Sequence, residues 1–207
     1  MWKVFISGVL ALALAGCAAR GPQSPAVSDD IAAHAEAAAA EPAPEVRGDN
    51  AELFERAVAR LVEGRLAEAE ALLLEVTEDQ PELAGPWVNL AQVYQAQGRE
   101  DEAIAALEQA VLANPGNCAA HTELGVLLRR RGEFDGAEAH YLACLERHPD
   151  YPAAQLNLGI LYDLYLGRWD RALEAYRRYQ SLVDEPDKRV HAWVVDLERR
   201  LGAEEAT

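Results

Sequence analysis

Gly64, Gly98 and Gly132 stand 34 residues apart, and that interval recurs along the chain. Ala69, Ala103 and Ala137 keep it, as do Pro81, Pro115 and Pro149, and Leu90, Leu124 and Leu158. Small residues, Ala91, Gly125 and Gly159, follow those leucines. A fixed period of this length marks one supersecondary unit used again and again. A single such unit cannot bury its apolar face, so the units must stack and share one interior. Half of the residues are hydrophobic, yet only 7% are aromatic. That balance favours closely packed helices over a bulky mixed core.

The second unit carries the fullest pattern: Trp87, Leu90, Ala91 and Tyr94, then Ala103 and Leu107, then Pro115. It resembles the tetratricopeptide repeat (TPR). The resemblance implies an all-α right-handed superhelix of about four helix-turn-helix repeats, at 50–83, 84–117, 118–151 and 152–186. Gly98 and Gly132 fall just past each first helix, where a left-handed backbone is needed and glycine is cheapest. Pro115 and Pro149 stop each second helix. Ala91, Gly125 and Gly159 let the second helix approach, and Ala103, Ala137 and Ala172 reciprocate. The first repeat is degenerate: Arg56 and Arg60 stand at usually apolar places, which suits a terminal unit. The fourth holds one extra residue, since eight positions separate Gly159 from Gly167 against seven from Gly125 to Gly132. "YDLYLGRW" must absorb it as a longer turn or a π-bulge. Val190, Trp193, Val194, Leu197 and Leu201 then form one helical stripe, which predicts a capping helix over 187–202 and a disordered tail at 203–207.

The amino end is of another kind. Met1-Trp2-Lys3 is a short basic start, and Val4 to Leu14 is an apolar run of 11 residues. That run is shorter than the roughly 20 residues needed to span a bilayer. Leu14-Ala15-Gly16-Cys17 resembles the lipobox of bacterial lipoproteins, which implies a signal peptide at 1–16, cleavage before Cys17, and acylation of that cysteine. Several acyl chains at about 0.8 kcal/mol per buried CH₂ hold a protein stably on a membrane. Ala18, where an aspartate would signal retention, implies the outer membrane, facing the periplasm. Residues 17–49 carry Pro22, Pro25, Pro42 and Pro44 among small and polar residues without periodicity, and read as a disordered tether.

Chemistry is sparse. There is no nucleophile elbow, P-loop, HExxH or dinucleotide fingerprint, so an enzyme is not expected, and neither a metal nor a cofactor is called for. One constellation is open to three readings. Cys118 and His121 begin one helix, and His140 and Cys144 end its antiparallel partner. They suit zinc by residue type and spacing. Cys118 and Cys144 suit a disulfide in an oxidising periplasm. Plain packing suits Cys144, which stands where the repeat wants a small buried residue.

Stacked repeats curve, and family geometry turns the first helices to the concave face. Phe54 and Val58 would face it from the first repeat, and Val88, Asn89, Gln92 and Gln95 from the second. Thr122, Val126 and Arg129 would follow from the third, and Leu156, Asn157, Ile160 and Asp163 from the fourth. Asn89 and Asn157 stand where asparagine often bonds a bound peptide's backbone. The surface suits an extended or helical peptide. A TPR subclass that clamps a C-terminal carboxylate is not matched: Phe54, Val58, Ala119 and Glu123 replace its lysines, asparagine and arginine, and only Asn89 agrees. Arg129-Arg130-Arg131 ends a helix, where cations complement the dipole, or meets an acidic partner. The net charge of -16 argues against nucleic acid as the partner. Residues 50–117 hold 13 acids and 4 bases, so a basic partner would prefer that half.

The expectation is thus a lipid-anchored periplasmic adaptor that holds a protein or peptide partner, touches the membrane through its anchor alone, and has an open oligomeric state. Its build is similar to TPR lipoproteins that help pilus secretins assemble, to scaffolds of peptidoglycan hydrolases, and to TPR proteins accompanying TonB-linked uptake.

Overall fold

The computed structural model describes residues 48–204. The expected signal peptide, Cys17 and most of the expected tether lie outside the described residues, as do residues 205–207. The order is α1 (Asp49–Val62), α2 (Leu66–Asp79), α3 (Ala84–Ala96), α4 (Glu100–Ala113), α5 (Cys118–Arg131), α6 (Phe134–Arg147), α7 (Pro152–Leu161), a π-helical segment (Tyr162–Leu166), α8 (Trp169–Leu182) and α9 (Lys188–Glu204). Strands are absent among the described residues. Consecutive helices pack as hairpins: α1 with α2, α3 with α4, α5 with α6, and α7 with α8. The first helices, α1, α3, α5 and α7, also touch one another in sequence and form one continuous wall.

Each hairpin turn is made by glycine in the left-handed region, with φ of 73° at Gly64, 76° at Gly98 and 82° at Gly132. At such angles an L side chain collides with its own backbone, so no other residue closes this turn as cheaply. The fourth turn differs. The extra residue winds Tyr162–Leu166 into a π-helix, and Gly167 (φ 61°) ends it. The alternative of a longer turn is thereby excluded.

A second periodic contact closes the loop between repeats. Trp87 Nε1 donates to the Pro81 carbonyl at 2.9 Å, and Gln155 Nε2 donates to the Pro149 carbonyl at 3.1 Å. His121 Nε2 stands 3.2 Å from the Pro115 carbonyl at the equivalent place. An indole, an imidazole and an amide perform one task, because each carries an N–H at the right reach.

The interior follows the hairpins. Leu73, Leu90, Val93, Leu107, Leu124 and Leu127 are fully or almost fully buried in the α1–α5 part. Tyr141, Leu161, Tyr176, Val190 and Leu197 continue it through α6–α9, and Leu128 packs against both parts. Size is matched across each hairpin. Where the first helix has Ala91 the second has Leu107, but Gly125 faces the ring of Tyr141 and Gly159 that of Tyr176. A Cβ on Gly125 would lie 2.4 Å from Tyr141 Cε1, and one on Gly159 would lie 2.5 Å from Tyr176 Cδ1. The missing methyl group is what admits the larger ring.

Turn residues also tie repeats together. Arg99 pairs with Glu70 at 2.7 Å and lies over the Tyr94 ring. Arg168 pairs with Glu138 at 2.8 Å and lies over the Tyr162 ring, whose hydroxyl donates to the same carboxylate. Arg56 is exposed on the outer side of α1, and Arg60 reaches Glu63 at 2.6 Å. α9 covers α8, with Val190 and Leu197 buried and Trp193 against Tyr176 at 5.4 Å between ring centres. It runs on to Glu204, so residues 203 and 204, expected in a disordered tail, are helical. Alanine and glutamate are both good helix formers, and nothing there breaks the turn.

Candidate partner-binding groove

The wall of first helices gathers most of the residues expected to face a partner. Phe54, Val58, Asn89, Gln92, Gln95, Val126, Leu156, Ile160 and Asp163 are all partly exposed on it. Phe54 also packs toward α3, where a Cβ on Gly85 would lie 3.9 Å from its ring. Three expected contact residues are instead buried: Val88 at 7% exposure, Thr122 at 1% and Asn157 at 5%. Adjacent first helices come close enough to close over these positions, so they fill seams rather than line an open surface. Asn157 is also spent internally. Its Nδ2 donates to the Ala153 carbonyl at 2.9 Å, and its Oδ1 accepts from Arg129 at 3.3 Å.

Polar groups run along the wall from repeat to repeat. Gln92 and Gln95 on α3 donate to the two oxygens of Glu123 on α5, at 3.1 and 3.2 Å. Burial pushes the Glu123 carboxyl up to about 6, and the two amide donors hold it back only in part. Arg129 carries the ladder on to Asn157 and lies 5.5 Å from the ring centre of Tyr165 in the π-helical segment. Burial raises the Asp163 carboxyl, and the Tyr176 hydroxyl donates to it at 3.5 Å. Burial and the Glu123 charge push the Tyr151 hydroxyl up to about 12, and that hydroxyl has no hydrogen-bond partner.

The three arginines divide. Arg129 belongs to the wall, whereas Arg130 pairs with Glu100 at 3.0 Å, and Arg131 with Glu100 at 3.6 Å and with Asp101. The acids that meet this basic stretch therefore come from α4 of the same chain. The reading that awaited an acidic partner there is corrected for Arg130 and Arg131.

Cys118 and Cys144 meet where α5 begins and α6 ends. Their sulfurs are 2.12 Å apart, at bonding distance, and the Cα atoms are 4.7 Å apart. A sulfur so bonded offers no thiolate to zinc. Among the described residues no group of three or more His, Cys, Asp or Glu is arranged to hold a metal ion. His121 and His140 face each other beside the bridge, Nδ1 to Nδ1 at 3.0 Å. With His121 Nε2–H given to Pro115, its neutral Nδ1 is an acceptor, so His140 Nδ1 is the donor. Burial lowers both imidazoles, and His121 lowers His140 further.

The tetratricopeptide repeat family's sequence profile matches residues 88–152 and 127–187. No curated protein matches the sequence. Among solved structures the fold is similar to that of MamA at a TM-score of 0.64 and 20% identity, covering 76% of this chain and 85% of that one. It is also similar to TTC0263, a thermophilic TPR protein in Thermus thermophilus, at 0.59 and 24%, covering 72% and 81%. A tetratricopeptide repeat protein from Parabacteroides merdae ATCC 43184 matches at 0.64 and 22%, covering 75% of this chain and 61% of that one. At these identities the likeness is one of fold. The chain is a tetratricopeptide repeat protein, an all-α TPR superhelix.

Proposed function

We propose that this chain is an adaptor, anchored by lipid at Cys17 to the outer membrane on its periplasmic side, and that the wall of first helices holds a protein partner. The observation that carries the reading is the character of that wall. Asn89, Gln92, Gln95, Val126, Leu156 and Ile160 leave apolar patches beside amide groups partly open to solvent. Amides offer both donors and acceptors to a peptide backbone, and the aliphatic groups offer area. The anchor and tether would raise the local concentration of whatever is bound. No described helix is long and apolar enough to cross a membrane.

Within this reading the partner belongs to pilus or secretin assembly, with peptidoglycan hydrolases and TonB-linked uptake as the alternatives. Crosslinking in intact cells, followed by purification and mass spectrometry, should recover one specific partner. Loss of secretin multimers on deletion would favour the first role, and co-purified endopeptidases the second. Recovery of no specific partner would refute the adaptor. Cys17→Ala should release the chain to the soluble fraction, and retention in the membrane fraction would refute the anchor.

A further inference from the structure

Glu123 lies at the middle of the wall, at the repeat position held by Asn89 before it and Asn157 after it. Across the second, third and fourth repeats it is the one charged residue at that position. Its hydrogen-bond partners, Gln92 Nε2 at 3.1 Å and Gln95 Nε2 at 3.2 Å, are neutral amides that bring no positive charge. A carboxylate partly withdrawn from water and held by neutral dipoles keeps a charge that a cation would offset. A second polar group points the same way. Tyr151 is 6% exposed and its hydroxyl has no hydrogen-bond partner, although it lies close enough to feel the Glu123 charge. The setting is acidic as well: residues 50–117, which include the α1 and α3 side of the wall, hold 13 acids against 4 bases. Arg129, the cation nearest along α5, is directed to Asn157 and Tyr165.

Resting on the reading that a partner segment lies along the wall, we propose that this segment presents a lysine or arginine side chain that seats on Glu123. The incoming ammonium or guanidinium donates to the carboxylate. Gln92 and Gln95 hold the carboxylate in place before the partner arrives, and each also brings an amide oxygen that can accept from the partner's backbone. An acidic segment would meet Glu123 as a like charge and be refused.

Short peptides capped at both ends, identical but for a central arginine, citrulline or glutamate, test this on the full chain. Citrulline keeps the shape of arginine without its charge. Side-chain amide NMR signals of Gln92 and Gln95 report occupancy at the site, and titration yields Kd. The arginine peptide should bind about tenfold or more tightly than the citrulline peptide, in keeping with measured couplings of close charge pairs. Glu123→Gln should erase that difference without lowering the melting temperature. Equal affinity for arginine and citrulline peptides on the native chain would overturn the cation site while leaving a neutral segment free to occupy the wall. A preference for arginine that survives Glu123→Gln would overturn it too. So would the absence of any shift at Gln92 and Gln95 with every peptide. Whether any partner occupies the wall is then read separately, from crosslinking in cells.

Discussion

Adding one methyl group at Gly125 tests how the hairpins are packed. The new Cβ would stand 2.4 Å from Tyr141 Cε1 and 2.8 Å from Cδ1 and Cζ, so it strikes the ring itself rather than a flexible tip. Ordinary carbon contacts begin near 3.5 Å, so the ring or the helix must shift by about 1 Å. Tyr141 is fully buried, which leaves its ring nowhere to swing. Overpacking of this kind costs about 1–3 kcal/mol. Relief of glycine's helix penalty returns about 0.5–1 kcal/mol. Gly125→Ala should therefore lose roughly 1–2 kcal/mol, or several degrees in melting temperature followed by circular dichroism. The second repeat supplies the remedy, because it pairs Ala91 with Leu107 at the equivalent places. Tyr141→Leu alone should cost about 2–4 kcal/mol through the space it opens over Gly125. Gly125→Ala with Tyr141→Leu should be more stable than the two separate losses predict, by about 1 kcal/mol or more. If Gly125→Ala is as stable as the parent, or if the losses simply add, the matched-size account of the hairpin is wrong.

The other predictions concern charge and the bridge. Glu123 titrates near 6 in the folded chain against 4.5 for a free glutamate, so its contribution is fully present below 4.5 and is lost as pH rises through 6, about 2 kcal/mol in all. Glu123→Gln should remove that downward limb and gain as much as about 2 kcal/mol at pH 7.5 by denaturant titration, and a flat difference between pH 4 and 8 would contradict it. His121 and His140 have lowered pKa values, so the unfolded chain binds the extra protons and stability falls as pH drops below about 6.5. His121→Gln should keep the bond to Pro115, as Gln155 does to Pro149, and weaken that acid loss; an unchanged pH profile would count against the imidazole pair. The Cys118–Cys144 link closes a sequence separation of 26, so reduction should cost about 3–4 kcal/mol of unfolding free energy by loop entropy, and no change with reductant would contradict the bridge.

The period of 34 reveals the helical hairpins because each recurring residue has a local job. Gly98 and Gly132 must take positive φ, and an extra residue between Gly159 and Gly167 must lengthen the helix or its turn. Jobs that cross between repeats are less legible. The Trp87, His121 and Gln155 bonds share a position but not a residue type, so no sequence repeat betrays them. The depth of Thr122 and Asn157 depends on how closely neighbouring first helices approach, which side-chain volumes across two repeats decide. Arg130 and Arg131 read as cations complementing the helix dipole or as a contact for an acidic partner, and the sequence does not show their actual acids, Glu100 and Asp101, because these lie one hairpin earlier. Glu123 stood out in the sequence only as a departure from a carboxylate clamp. Its neighbours Gln92 and Gln95 lie about one period away, where the eye following the repeat looks for likeness rather than for a partner.

A photoreactive amino acid installed in the full chain, in living cells, asks most directly whether the wall is the binding surface. At Gln92, Gln95 or Ile160 it should crosslink to one and the same partner protein. At Leu112, 72% exposed on α4, it should not. Crosslinks from Leu112 with none from the three wall positions would contradict the account.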